Sequence, residues 1–192
     1  MSWESSIEYY RIINETVKAK LGGHHSARSV MVSVDLAEIE ELQHRGEWDE
    51  AAKMLTAAAQ DVENGDGDFV VICTNTMHKV ADDVQKQIQI PLLHIADATA
   101  QRIKSLGLHQ IGLLGTKFTM EEGFYKDRLT EKHGLEVLIP SEPEREIVHH
   151  VIYDELCLGE IKPASKEQYL RIMDHLVENG AEGIILGCTE IS

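Results

Sequence analysis

Two short runs of this chain place a thiol among hydroxyls and amides: Cys73-Thr74-Asn75-Thr76, with His78 close behind, and Cys188-Thr189-Glu190. A thiol whose pKa lies near about 8.5 serves as a base when ionised and as an acid when protonated. Two thiols in opposite protonation states can take a proton from one face of a carbon and return one to the other. Their roles exchange in the reverse direction. Inverting a stereocentre in this way requires no cofactor. Glu190, beside Cys188, and His78, five residues after Cys73, are candidates to assist the proton transfers. The groups around Thr74, Asn75, Thr76 and Thr189 suit a carboxylate, the more so if a helix begins there and offers its backbone amides.

The elements that would position these residues alternate along the chain. Residues 7–21 have helical periodicity, opened by Ser5 and Glu8 in capping-box spacing and closed by Gly22-Gly23. The β-branched run Val30 to Val34 predicts a strand. Residues 48–64 predict a helix, 69–72 a short apolar strand, 78–89 a helix and 91–95 an extended segment. In the second half, strands are expected at 111–114, 136–139 and 183–186. Helices are expected at 121–132, 146–158 and 166–179. Continuous apolar strands separated by helices indicate parallel sheets covered on both faces.

A fixed offset of 115 residues superimposes the two halves. Val62-Glu63-Asn64-Gly65 falls on Val177-Glu178-Asn179-Gly180, and Cys73-Thr74 falls on Cys188-Thr189. Tyr9 and Tyr10 fall on Phe124 and Tyr125. The fold class is therefore α/β, with two similar parallel-sheet units, 1–97 and 98–192, arising from an internal duplication. Each unit presents Cys-Thr at the carboxyl end of a strand, where parallel sheets bind ligands. In the same register, the strand at 111–114 has its counterpart ahead of Met1, and the helix and strand after Met77 have theirs after Ser192. The first unit is thus expected to lack its first strand, and the second to be cut short at its carboxyl end.

Bulk properties narrow the function. The 192 residues carry 18 basic and 33 acidic side chains, a net charge of −15, which argues against nucleic acid or an anionic membrane as partner. An anionic small substrate stays compatible, since backbone amides can make a site locally positive. No apolar run has the length of a membrane span, and the start has no basic-then-apolar leader pattern. Three cysteines without a pairing pattern suit a reducing, cytoplasmic setting.

Ile72-Cys73-Thr74-Asn75-Thr76-Met77-His78 and Gly187-Cys188-Thr189-Glu190-Ile191 resemble the paired signatures of the aspartate/glutamate racemase superfamily, in its aspartate racemase branch. Met1-Ser2-Trp3-Glu4-Ser5 resembles the segment that follows the first strand of that branch. The resemblance implies two units related by a pseudo-twofold axis with the active site between them, no pyridoxal phosphate, no metal, and a homodimer. It implies Cys73 and Cys188 as the catalytic pair and interconversion of L- and D-aspartate or glutamate. It also implies substrate-binding roles for Met1, Thr74, Asn75, Thr76, Thr116 and Thr189, with Thr119 and Ser33 as weaker cleft positions. Family members with acidic substrates carry a basic residue in the stretch matching Glu155 to Gly159. Here it reads Glu155-Leu156-Cys157-Leu158-Gly159. A broad-specificity amino-acid racemase is therefore the alternative within the family. A truncated, non-catalytic protein that binds a small anion is the alternative outside enzymology.

Plainer readings fit several other residues. Cys157 has no repeat partner and reads as structural. Cys73 and His78 make at most half a zinc site, without the second ligand pair that zinc requires. His24-His25 and His149-His150 lack a carboxylate at fixed spacing and read as surface. Glu38-Ile39-Glu40-Glu41 reads as a solvated helix face, and Trp3, Tyr9 and Tyr10 as core or interface.

Overall fold

The computed structural model describes residues 2–191. It is mixed α/β, with parallel strands in two sheets and two compact units, Met1–Leu93 and His94–Ser192. Among the described residues, no helix is long and apolar enough to cross a membrane.

Unit 1 begins with α1 (Trp3–Leu21), capped by Ser2, whose hydroxyl accepts from the Ser5 amide. The helix thus starts four residues before the position expected from Ser5 and Glu8; the capping oxygen belongs to Ser2. α2 (Leu36–Arg45) starts where the Asp35 carboxylate accepts from the Ala37 amide and stops at Gly46, whose φ of 70° suits a residue without Cβ. α3 (Trp48–Asn64) leads to β1 (Val70–Val71). A 3₁₀ turn (Thr76–Val80) then runs into α4 (Ala81–Gln85), and β2 (Leu92–Leu93) pairs in parallel with β1. The expected helix at 78–89 therefore starts as a tighter turn and ends earlier. The extended segment 91–95 also shortens, because His94 caps the next helix and Ile95 belongs to it.

The expected strand at 30–34 does not form. A β-branched run becomes a strand only with a ladder partner, and among the described residues none pairs with it. Ile39 overturns the solvated reading of its segment: it is fully buried in a core with Leu55, Val70, Ile72, Met77 and Val84, while its acidic neighbours face outward. Trp3 and Tyr10 are exposed rather than core, and Ser5 is the one buried residue of α1.

Unit 2 opens with α5 (Ile95–Ser105), then β3 (Gln110–Leu114), α6 (Lys117–Glu121), α7 (Gly123–Asp127) and a π-helical turn (Arg128–Lys132). The expected helix at 121–132 is thus broken in three, with Glu122 in an extended conformation between the first two pieces. β4 (Glu136–Leu138) follows. α8 (Glu142–Asp154) opens with Glu144 reaching back to the Ser141 amide at 2.9 Å. It ends before Cys157, which sits on a separate 3₁₀ turn, Leu156–Leu158. α9 (Pro163–Glu178) and β5 (Gly183–Leu186) complete the unit.

The sheet runs in the order β4-β3-β5, all parallel, with Gln110 opposite Glu136 and Leu114 opposite Leu186. β3 is central, and four of its five residues are buried, as expected for a strand covered on both faces. The core gathers Leu113, Leu114, Tyr125, Leu129, Val148 and Ile172. Asp97 holds α5 to the π turn: its carboxylate accepts two bonds from Arg128 and others from Lys132 and His133, which keep it far below the usual carboxylate range.

In the histidine doublet at 149–150 the surface reading holds for His150, which is exposed, but not for His149. His150 meets Asp154 at 3.0 Å one turn on, and His149 is half-buried, accepting from the Lys117 amide at 3.2 Å.

Candidate active site

In unit 1, Cys73 lies just beyond the carboxyl end of β1, in a bend that leads into the 3₁₀ turn. Its carbonyl accepts a bond from Ser5 Oγ at 2.5 Å, so the start of α1 is fastened to the Cys73 backbone. Thr74 is half-buried; Asn75, Thr76 and His78 are buried. His78 Nδ1 donates to the Thr74 carbonyl at 2.7 Å, and the His78 amide donates to the Asn75 carbonyl at 2.9 Å. The imidazole therefore braces the loop that follows the cysteine. Burial pushes the Cys73 thiol up from its ordinary value.

In unit 2, Cys188 has the equivalent place after β5, ahead of a 3₁₀ turn at Thr189–Ile191. Glu190 gathers its neighbours: its carboxylate accepts from Cys188 Sγ at 2.9 Å and from Thr189 Oγ1 at 2.8 Å. Burial, then the charge and hydrogen bond of Glu190, push this thiol well above its ordinary value. Both thiols are thus raised above their ordinary value, Cys73 by burial and Cys188 by burial and Glu190. Thr116, at the end of β3, caps α6 by accepting from the Thr119 amide at 3.3 Å, and both threonines are buried. The turn carrying Cys157 packs on the Thr189–Ile191 turn, and Tyr169 is buried near Cys188 with its hydroxyl donating to the Val148 carbonyl.

Met1 lies outside the described residues. Ser33 is exposed on the irregular segment before α2. Among the described residues, no three His, Cys, Asp or Glu side chains cluster to hold a metal ion.

Sequence reasoning missed two positioning residues. Ser5 reads as an ordinary capping residue, and nothing in its neighbourhood signals a bond to a carbonyl 68 positions away. Gly187 carried a signal, since a glycine directly before a functional residue at a strand end marks close backbone approach. Its amide donates to the Leu114 carbonyl at 2.5 Å, and an added Cβ would meet that oxygen at 2.7 Å and Leu113 Cδ1 at 3.2 Å. Gly187→Ala should therefore push β5 from β3 and displace Cys188. The expected loss is about 1–3 kcal/mol of stability in denaturant titration, with reduced turnover. A stability within about 0.5 kcal/mol of the parent would show that the strand end yields freely.

Glu190 gives a second test. Glu190→Gln removes the charge that holds the Cys188 proton, so site-resolved iodoacetamide labelling of Cys188 should run faster at a given pH, its alkaline rise moving to lower pH. Cys73 labelling should not change. Unchanged labelling of Cys188 would mean that burial alone sets its pKa.

The chain is similar to several known proteins. An inferred Asp/Glu racemase from Yersinia pestis is 55% identical in its crystal structure, with a TM-score of 0.92 over 99% of this chain and 83% of that one. PH1733, an aspartate racemase homologue from Pyrococcus horikoshii, is 35% identical with a TM-score of 0.80, over 98% of this chain and 81% of that one. The broad specificity amino-acid racemase RacX of Bacillus subtilis is 28% identical over 90 residues, 47% of this chain and 39% of that protein. The Asp/Glu/hydantoin racemase family matches residues 1–192, and the chain belongs to that family.

Proposed function

We propose that the protein is a cofactor-independent amino-acid racemase that interconverts the enantiomers of aspartate or glutamate through Cys73 and Cys188. The observation that carries this reading is the repeated strand end: in each unit a Cys-Thr pair beyond the strand with a 3₁₀ turn following the cysteine, and the Cys188 thiol donating to Glu190. Glu190 Oε2 receives the Cys188 proton, and the resulting thiolate removes the α-proton from one face of the substrate. The neutral Cys73 thiol returns a proton to the other face and becomes the thiolate for the reverse reaction. Asn75, Thr76, Thr116 and Thr189 bind the substrate's polar groups, and His78 acts by bracing the loop after Cys73. Residues Thr74 and Met1 complete the substrate-binding set that the family resemblance implies. A homodimer acting in the cytoplasm on a small amino acid, without metal or pyridoxal phosphate, fits this reading.

A second reading, broad specificity among amino acids, is favoured by the likeness to RacX and by the absence of a basic residue from Glu155 to Gly159. Proton NMR in D₂O decides between them, following α-proton exchange and inversion of aspartate, glutamate and a neutral amino acid. Inversion confined to the acidic pair supports the first reading, and inversion of all three supports the second. No exchange from the folded chain would leave a non-catalytic anion-binding protein.

A further inference from the structure

The turn that carries Cys157 brings a second thiol to the Cys188 strand end. α8 stops at Asp154, and Gly159, with a φ of 76°, redirects the chain after Leu158. Between them the 3₁₀ turn Leu156–Leu158 rests on the turn Thr189–Ile191, with Cα atoms of the two turns within 8 Å of one another. Cys157 and Cys188 are both half-buried and pack against the same core, which includes Leu113, Val148 and Ile172. Tyr169 lies near enough to both that the charge of either thiolate opposes ionisation of its hydroxyl. In the same way, Cys157 opposes ionisation of Cys188.

The two ends of the Cys157 turn differ in freedom. At its base the Glu155 carboxylate accepts from Ser165 Oγ at 2.6 Å and meets Lys162 at 3.6 Å, which ties it to the start of α9. At the other end Leu158 and Ile161 are 70% and 83% exposed, and an added Cβ on Gly159 would meet nothing within 4 Å. Cys157 thus sits on a turn anchored on one side and open to small molecules on the other. A disulfide requires Cα atoms about 4.4–6.8 Å apart, a range over which touching turns meet. Cys188 has a proton acceptor beside it, Glu190, 2.9 Å from Sγ.

We propose that Cys157 and Cys188 form a redox pair, which a small-molecule disulfide converts to an intramolecular disulfide, withdrawing the Cys188 thiol from proton transfer. The Cys157 thiolate attacks one sulfur of the small disulfide, and a mixed disulfide forms as one small thiolate leaves. Cys188, its proton passed to Glu190, attacks Cys157 Sγ, and the second small thiolate leaves. The two protons lost by the protein end on the two small thiols, so two protein thiols are oxidised and one small disulfide is reduced. A small thiol in excess reverses both steps, the behaviour of a transient, sensing bond. The switching of turnover rests on the racemase reading; formation of the bond does not.

The test equilibrates the full chain with mixtures of reduced and oxidised glutathione, folded and in urea, then quenches with acid. Peptides are mapped by mass spectrometry without reductant. The folded chain should join Cys157 to Cys188 within one chain, at an effective concentration about tenfold or more above that of the unfolded chain. Equal or weaker pairing in the folded chain overturns the proposal, as does glutathione on either cysteine without the linked pair, or linkage between chains. The linked protein should lose turnover by at least about 10²-fold and regain it with dithiothreitol. Cys157→Ser should keep the turnover of the reduced parent and yield only mixed disulfides with glutathione. A linked protein that racemises at the parental rate also overturns the proposal. If the reduced parent shows no turnover, the racemase reading falls, and the pairing measurement alone decides the redox pair.

Discussion

Cys73→Ala and Cys188→Ala should each lower racemisation by about 10²–10⁴-fold, the range expected when a positioned acid or base is removed. The two losses should differ in character. In a two-base reaction each thiol deprotonates one enantiomer, so a variant that keeps one thiol can still wash deuterium into one enantiomer with retention. Cys73→Ala leaves the Cys188–Glu190 pair, in which the carboxylate lies within hydrogen-bond distance of Sγ and can exchange the abstracted proton. Its residual exchange should therefore exceed that of Cys188→Ala. NMR in D₂O with each pure enantiomer reads both effects. Inversion at the parental rate in either variant would rule out the two-thiol reaction.

Leu113→Ala carries the largest expected effect on stability. Leu113 is fully buried on β3, and that strand is bonded to a neighbour on each edge, so the sheet cannot close over the lost side chain. The cost should be about 2–5 kcal/mol, the range for a large-to-small change in a packed core. Against a total stability of about 5–15 kcal/mol, this can unfold much of the chain at physiological temperature. Denaturant titration by circular dichroism reads it; a loss under about 1 kcal/mol would mean that the core relaxes around the cavity.

The sequence makes the fold class legible because strands buried on both faces write themselves as short unbroken apolar runs. Ile111 to Leu114 and Gly183 to Leu186 fall within β3 and on β5 for that reason. The duplication also places Cys73 and Cys188 at equivalent strand ends, since a repeated Cys-Thr depends on no helix boundary. What stayed hidden depends on partners distant in sequence. Val30 to Val34 has strand composition, but a ladder needs a neighbour. Ile39 sits among three glutamates, and only the packing of α2 against α3 shows that it points inward. Residues 121–132 read as one helix, although they take in the end of α6, α7 and the π turn, because the break at Glu122 lies in backbone dihedrals rather than in residue type. The raised thiols escaped for the same reason: burial and Glu190 act through space.

The bond from Ser5 to the Cys73 carbonyl gives α1 a consequence beyond its own stability. It makes the seating of that helix and the placement of the thiol a single equilibrium. A change that fastens α1 narrows the range of positions open to the Cys73 loop. By reciprocity of coupled equilibria, a ligand that selects one of those positions fastens α1 by the same free energy. A helix with one buried residue would then serve as a remote gauge of whether the thiol loop is occupied.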